Sequence, residues 1–220
     1  MRSVPLKEFD EVVYTRRTVR HYLPDRIPPE VYEELVSAAI QAPSACNEQE
    51  WKFIVVEDQK LLHWLFEQGG ATFIDHVSQG ILVLYYNRTD NMAYRDHVQS
   101  GAAAITILQL KAYALGIGSC WVCHLPPKWE IRRKFKTPPY YDPIAFVTLG
   151  YTKREPHRRP RKVDPKSLIS YDVFSFVDPP LPWFDWRIFI RRWARRLYYL
   201  FPWRKYLYPI VKKYEKKFYD

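Results

Sequence analysis

The stretch AIQAPSACNEQEWKFIVV, residues 39–56, contains the end of a helix, a polar loop and a β-strand. The helix begins near Pro28, because proline suits the first turn of a helix, and Pro43 ends it. The last six residues are mostly β-branched or aromatic, and such a short run is typical of a buried strand. In the loop, Asn47 and Gln49 suit either a capped turn or recognition of the polar edge of a planar heterocycle.

Apolar patterns on both sides of this stretch predict further helices and strands. The segment from Val98 to Leu115 is apolar almost all round, which indicates a helix inside a core or a subunit interface. The other expected elements are an amphipathic turn from Phe9, a helix at 60–70, strands at 81–86 and 145–149, and a short strand or extended loop at 120–125. This order predicts an α+β fold with a central sheet flanked by helices.

The net charge of +10 is distributed unevenly along the 220 residues. Residues 1–150 carry 16 Lys and Arg against 17 Asp and Glu, whereas residues 151–220 carry 18 against 7. A neutral body argues against a nucleic-acid partner, because that affinity grows with the number of phosphates neutralised. We therefore expect one domain at 1–170, with enough apolar residues for a core, and a basic, aromatic extension at 171–220.

Cysteine usage and the N-terminal sequence indicate where the protein works. Three cysteines, Cys46, Cys120 and Cys123, and no secretory pattern at the N-terminus favour a reducing, cytoplasmic location. The longest apolar runs fall far below the roughly 20 residues that span a bilayer. Cys120 and Cys123 have the spacing of a redox or metal-binding pair, but no second pair follows, so we expect no metal.

Four segments contain candidate binding residues. They are Arg16–Arg20, the loop 43–51, and the stretches 116–125 and 154–162. Arginine suits phosphate because its guanidinium forms paired, charge-assisted hydrogen bonds with the phosphate oxygens. A single cluster of this kind is more often a solvated surface patch, so the combination of segments matters more than any one of them.

In this order and spacing, the segments resemble the FMN-dependent nitroreductase family. The first signature combines RRTVR at 16–20, IPPE at 27–30 and the stretch 39–56 quoted above. Later signatures are ALGIGSCW at 114–121, VTLGY at 147–151 and RPRK at 159–162. The resemblance spans roughly residues 8–165 and implies a nitroreductase-like fold, with a mostly antiparallel sheet, in an interlocked homodimer that holds two FMN at its interface.

The resemblance also implies a ping-pong reaction and a set of cofactor-binding residues. NADH or NADPH would deliver a hydride to the flavin, and a nitroaromatic, quinone, enone or similar acceptor would take two electrons. The implied positions are Arg16, Arg17 and Thr18 at the phosphate and ribityl chain, Arg20 at the pyrimidine end, Trp121 and Cys123 at the ring, and Arg159 and Arg161 at the phosphate. Pro43, Ser44 and Asn47 would come from the other subunit.

Three departures from the family pattern leave an alternative open. His124, next to the Cys123 backbone expected near flavin N5, stands where a small residue is usual, and Glu50 replaces a proline. The insertion that covers the site in larger members is short. A non-catalytic flavin-binding or scaffold dimer, with the C-terminal extension as its working part, is therefore the competing hypothesis.

The C-terminal extension contains a strongly amphipathic segment from Trp183 to Phe201. Its apolar face comprises Trp186, Phe189, Ile190, Trp193, Ala194, Leu197, Leu200 and Phe201, and its polar face comprises Arg187, Arg191, Arg192, Arg195 and Arg196. A shorter segment after Pro209 follows the same rule. Residues 183–218 thus favour either an anionic membrane surface, at the inner face of the cytoplasmic membrane, or packing on the domain or dimer; nucleic acid is the weakest of the three.

Overall fold

The computed structural model describes residues 7–89, 91–153, 161, 163–176, 184–201, 204–207, 209–210 and 213. Within them lie six helices and four strands. The helices are α1 (Phe9–Thr15), α2 (Pro29–Ala39), α3 (Gln59–Glu67), α4 (Asp96–Ala114), α5 (Lys128–Phe135) and α6 (Trp186–Leu200). The strands are β1 (Trp51–Val56), β2 (Gly80–Tyr86), β3 (Gly118–Val122) and β4 (Tyr141–Gly150).

All four strands form one antiparallel sheet in the order β1-β2-β4-β3. The two central strands are buried on both faces, since alternate residues of each strand contribute to two different apolar clusters. One cluster joins the sheet to α2 and α4, and the other joins it to α3 and α5. The result is a three-layer α+β domain, which confirms the predicted fold class and its antiparallel sheet.

Two strand predictions were wrong at their ends, and one helix was missed. β4 begins at Tyr141, before the expected 145, because a register shift in its pairing with β2 accommodates Pro143. β3 covers Gly118–Val122 rather than 120–125, and the chain leaves the sheet before Pro126. α5 was missed because its sequence, KWEIRRKF, is mostly charged and buries only Glu130 and Ile131.

The helix α4 packs one side on the sheet, as the apolar segment predicted. Ala104, Ile105 and Leu108 are fully buried there. On its other sides, small and apolar residues such as Ala103 and Ile107 are only partly buried. The interlocked homodimer is not tested by a single chain and stays a prediction.

The residues after α1 form an arm that runs along the outer edge of β3. Thr18 forms a parallel bridge with Ser119, whose carbonyl accepts the Val19 N–H at 2.9 Å. A Cβ on Gly118 would lie 3.0 Å from the Val19 side chain, so any larger residue would push against the arm. The arm thereby covers the exposed edge of the sheet and fixes the residues around Arg16 beside β3.

The helix α6 contacts the domain through its end and leaves its predicted faces exposed. Tyr199 Oη donates a hydrogen bond to the Leu125 carbonyl at 3.1 Å, and Arg204 pairs with Glu130 at 2.6 Å. In contrast, Trp193 and Leu197 on the apolar face remain exposed, as does the arginine face. None of the helices in the described ranges is long and apolar enough to cross a membrane. Most of the segment after Pro209 lies outside those ranges.

Candidate functional site

Three arginines come together where the arm leaves α1. Arg16 follows the last residue of α1, and its side chain is half-buried. Burial lowers the pKa of Arg16, and the positive charges of Arg161 and Arg17 lower it further. The fold therefore brings Arg161, which follows the last strand, near Arg16 at the beginning of the chain. Arg159 lies outside the described residues.

This cluster has the properties of an anion site. The Nη1 atom of Arg16 is buried and has no hydrogen-bond acceptor among the described residues. A half-buried guanidinium that has one buried N–H group without an acceptor and lies near two other cations is destabilising until an anion binds. The phosphate of FMN would supply both the negative charge and the acceptor oxygens, so the donor set fits that group.

Arg17 has a structural partner in addition to its place in the cluster. Its Nη1 donates to the carbonyls of Tyr14 and Arg16, at 3.2 Å and 2.9 Å, at the C-terminal end of α1. Cations are favourable at this end of a helix because its last carbonyls carry partial negative charge. Arg17 thus fixes the end of α1, and Thr15 fixes the same end by donating to Tyr113 Oη at 3.0 Å.

The rest of the arm lies along β3. Thr18 is exposed beside Ser119, and the guanidinium of Arg20 lies 5.8 Å from the ring centroid of Phe73. Burial raises the pKa of Cys120 to about 11, although the positive charges of Arg20 and Arg16 oppose the shift. Cys120 is therefore a protonated thiol at neutral pH.

The strand β3 and its continuation provide the other predicted ring contacts. Trp121 packs on the core cluster, and its buried Nε1 has no acceptor among the described residues. Cys123 is an exposed thiol directly after β3, and His124 follows it, half-buried, with its carbonyl accepting the Ala71 N–H at 2.9 Å. One chain thus brings together the arginine arm and the segment 121–124.

The loop 43–50 is strained and held at the other end of α4. Cys46, Asn47 and Gln49 have positive φ angles of 49°, 56° and 55°, and Gln49 donates to Asn47 Oδ1 at 2.8 Å. Its Ala45 N–H donates to the Ser100 hydroxyl at 3.1 Å, in the first turns of α4. Such strain is concentrated at ligand-binding loops.

The structure does not bring this loop to the arginine cluster within one chain. The loop is fixed at Ser100 and the cluster near Tyr113, both on α4. With about 1.5 Å of rise per residue, these positions are about 20 Å apart along the helix. Pro43, Ser44 and Asn47 therefore lie apart from the arginine cluster of the same chain.

Some features of this region escaped the sequence analysis. Glu50 accepts a hydrogen bond from Tyr141 Oη at 3.1 Å, which gives the residue that replaces proline a structural role. The contact of Tyr199 with the Leu125 carbonyl had no signal in the sequence, because a tyrosine in an amphipathic segment carries no mark of its partner. No group of three or more His, Cys, Asp or Glu that could hold a metal occurs among the residues described.

Comparison with known proteins identifies the family. The sequence profile of the nitroreductase family matches residues 13–84 and 66–151. The chain belongs to the nitroreductase family. As a nitroreductase-family member it is an oxidoreductase, as the resemblance predicted. The profile match covers the arm, the loop 43–50, α4 and the whole sheet, and it ends before α6.

Individual members of the nitroreductase family agree with this assignment. The "Putative NADH dehydrogenase/NAD(P)H nitroreductase" of Archaeoglobus fulgidus is 35% identical over 156 residues, covering 68% of this chain and 88% of the relative. A nitroreductase family protein from Clostridium difficile 630 has a TM-score of 0.67 at 24% identity, covering 76% and 100% of the two chains. An FMN-dependent nitroreductase from Clostridium difficile R20291 has a TM-score of 0.65 at 23% identity, covering 75% and 99%.

Proposed function

We propose that the protein is an FMN-dependent oxidoreductase that takes electrons from NADH or NADPH and passes them to a nitroaromatic, quinone, enone or similar acceptor. The observation that carries this proposal is the buried Arg16 Nη1, without an acceptor among the described residues, beside Arg17 and Arg161. The names of the Archaeoglobus fulgidus relative and of the FMN-dependent structural neighbour support the choice of cofactor and reductant.

The phosphate end of FMN would be held by the arginine cluster. Arg16 and Arg161 would donate to the phosphate oxygens, and Arg159 is assigned to the same end by the resemblance. Arg17, whose Nη1 is bonded to carbonyls, would contribute mainly its positive charge. The exposed hydroxyl of Thr18 would bind the phosphate or the ribityl chain.

The segment beside β3 would hold the ring end. When bound, FMN supplies the two-electron chemistry that no side chain of this protein provides. Arg20 would place a positive charge at the pyrimidine end, and Trp121 Nε1 would donate to a ring or ribityl oxygen. The backbone at Cys123 and His124 would border the reactive edge, where the partly exposed imidazole of His124 would limit access.

The oxidoreductase proposal is tested by the absorbance of the purified protein under anaerobic conditions. Flavin bands that bleach on addition of NADH or NADPH, and return with an acceptor such as a benzoquinone, are the expected result. A colourless protein that does not take up added FMN would refute the proposal. Bound FMN that no nicotinamide reduces would favour the competing hypothesis of a non-catalytic flavin-binding dimer.

A second copy of the chain would complete each site with its loop 43–50. The separation of about 20 Å along α4 supports this arrangement, because it leaves the loop of one chain far from the arginine cluster of the same chain. The exposed Phe9 and Tyr14 on α1, with the partly exposed side of α4, offer an apolar surface for the contact.

Mixed dimers test this arrangement. An Arg16→Leu chain and an Asn47→Ala chain are each expected to form weakly active homodimers. A mixed dimer of the two contains one site with both residues intact, since Arg16 and Asn47 of one site come from different chains. Activity recovered on mixing, together with a dimer mass by light scattering, is the expected result. No recovery in a verified mixed dimer would place both residues in one chain's site.

The helix α6 is the part of the molecule that would hold the enzyme on an anionic membrane surface. Trp193 is 48% exposed and Leu197 is 58% exposed, while the arginines of the opposite face are also exposed. Interfacial helices have this pattern, and each basic residue near anionic lipid contributes about 1 kcal/mol. This location would favour a lipid-soluble acceptor and would place the protein at the inner face of the cytoplasmic membrane.

Vesicle sedimentation tests the membrane proposal. Full-length protein is expected to sediment with vesicles of phosphatidylglycerol and phosphatidylcholine, and less with phosphatidylcholine alone. Trp193→Ser with Leu197→Ser should abolish sedimentation and leave FMN bound. Deletion of residues 181–220 is a less selective variant, because it also removes Arg204 from Glu130. Full-length protein that ignores anionic vesicles would favour packing of α6 on the dimer.

A further inference from the structure

We propose that Tyr198, Tyr199 and Arg204, here called the C-terminal clamp, position the connection between β3 and α5, residues 123–127, in the candidate active site. This connection carries Cys123 and His124, so the role of the clamp in catalysis rests on the function proposed above. The clamp lies outside residues 13–151, the region that matches the family profile.

The first contact of the clamp is with the backbone of the connection. Tyr199 Oη donates to the Leu125 carbonyl at 3.1 Å, while the preceding carbonyl, of His124, accepts the Ala71 N–H at 2.9 Å. Two successive carbonyls are thus held from different sides, one by the domain and one by α6. The next two residues are prolines, which have no N–H to donate, so these carbonyl contacts are a large share of what fixes the connection.

The second contact fixes the helix that follows the connection. Arg204 Nη2 lies 2.6 Å from Glu130 Oε1, and the two residues are only 7% and 4% exposed. Glu130 is in the first turn of α5, and Arg204 Nη1 also donates to the Gln68 carbonyl at 3.2 Å, just after α3. One buried guanidinium therefore joins the start of α5 to the end of α3.

The same turn after α3 receives the third contact. The Tyr198 ring packs on Gly69, where a Cβ would lie 2.9 Å from the ring and where φ is +88°. Glycine is required there by both the backbone angle and the space. The turn that continues to Ala71, which holds the His124 carbonyl, is thus covered by the clamp.

The buried ion pair specifies position more than it adds stability. Glu130 Oε2 and Arg204 Nε are buried without hydrogen-bond partners among the described residues, so part of the desolvation cost is not recovered. Removal of one partner alone leaves a buried charge that must hydrate or move. Since Glu130 lies three residues after the connection, such a movement would change the backbone at Cys123 and His124.

The cysteines allow a direct test that does not depend on flavin. Cys123 is an exposed thiol in the connection, and Cys46 is an exposed thiol in the loop 43–50, which serves as the internal control. Tyr199→Phe removes only the hydroxyl, and the loss of one neutral hydrogen bond corresponds to about a fivefold effect. In the apoprotein, labelling of Cys123 by iodoacetamide should change about fivefold, and labelling of Cys46 should stay constant. Unchanged Cys123 labelling in both Tyr199→Phe and Arg204→Lys would overturn the proposal.

The FMN-bound protein provides the second readout. Tyr199→Phe is expected to leave the Kd for FMN within about twofold, since its hydroxyl bonds the Leu125 carbonyl and not a residue assigned to the phosphate. It should change both the visible circular dichroism of bound FMN and the kcat for the acceptor. Arg204→Lys keeps the positive charge, so its kcat and its circular dichroism should differ less from those of the wild type than those of Arg204→Met. The matched control Arg191→Met, on the exposed face of α6 and about two turns before Tyr199, should alter vesicle binding alone.

A folding defect can be separated from a positioning defect. If Arg204→Met does not fold, Arg204→Met with Glu130→Leu removes the buried pair together and avoids an unpaired charge. This double variant should fold and still show altered Cys123 labelling. Wild-type labelling and a wild-type flavin spectrum in the double variant would refute the clamp. Altered labelling in a protein that binds no FMN would support the clamp and refute the proposed function.

Discussion

Replacement of Arg16 by leucine should have opposite effects on cofactor affinity and on the stability of the apoprotein. In the apoprotein, Arg16 Nη1 is buried without an acceptor among the described residues, and burial together with Arg161 and Arg17 lowers the pKa of Arg16. An unsatisfied buried polar group costs about 1–3 kcal/mol. Because Arg16 is only half-buried, we expect Arg16→Leu to raise the unfolding free energy of the apoprotein by at most about 1 kcal/mol.

The same change removes at least one charge-assisted hydrogen bond to the phosphate. Such a bond is worth about 1.5–3 kcal/mol, which corresponds to a loss of about 10- to 150-fold in FMN affinity. Quenching of FMN fluorescence gives the Kd, and urea unfolding of the apoprotein gives the stability. Arg26→Leu removes a charge from an exposed position and serves as the control. It should change the Kd for FMN by no more than about twofold and the unfolding free energy by no more than about 0.5 kcal/mol.

Two results would refute this reasoning about Arg16. If Arg16→Leu destabilised the apoprotein by more than about 2 kcal/mol, the guanidinium would be a structural residue rather than one held ready for a ligand. If its Kd for FMN stayed within about twofold of the wild-type value, the phosphate would bind elsewhere.

Three further predictions follow from single contacts. Gly118→Ala places a Cβ 3.0 Å from Val19, so urea unfolding should show a loss of about 1–3 kcal/mol and FMN should bind more weakly as the arm is displaced. Burial lowers the pKa of His97, so below about pH 6.5 the unfolded state binds more protons than the folded state, and the stability of the fold decreases as the pH falls. Thermal unfolding between pH 7.5 and 5.5 should therefore depend less on pH in His97→Gln than in the wild type. Gly69→Ala should displace Tyr198 and change Cys123 labelling as Tyr199→Phe does, and a wild-type labelling rate would contradict this.

The strands that were predicted well are those whose own residues are mostly apolar. β1 and most of β2 are short apolar runs; β2 is buried along most of its length, whereas β1 is fully buried only at Trp51 and Val56. β4 was predicted too short because Pro143 normally ends a strand, and only the paired strand shows that a register shift accommodates it. α5 was missed because only two of its eight residues, Glu130 and Ile131, are buried.

The site was predictable to the extent that it depends on local motifs. The arginine arm and the loop 43–50 were each recognisable, and their joint order indicated the family. The proximity of Arg161 to Arg16 was not deducible from charge, since the arginine-rich segment around Arg161 is equally consistent with a solvated patch. The distance along α4 between the loop and the cluster also required the fold, because it depends on which end of the helix each segment contacts.

The extension shows a different limit of sequence reasoning. Periodicity predicted α6 correctly, because the apolar and basic residues alternate with the period of a helix. The same periodicity gave no sign that the end of α6 contacts the domain. Arg204 resembles the many other basic residues of the extension, and only its position beside Glu130 distinguishes it.

The pairing of Glu130 with Arg204 sets an order of events during protein synthesis. The two residues are 74 positions apart, so Glu130 is synthesised well before its partner. N-terminal parts of a chain generally fold first as they emerge from the ribosome. The domain would therefore form with the Glu130 carboxylate unpaired near the connection 123–127. The C-terminal clamp would be complete only after Arg204 has been added. A chain truncated before that residue would contain Glu130 without its buried partner.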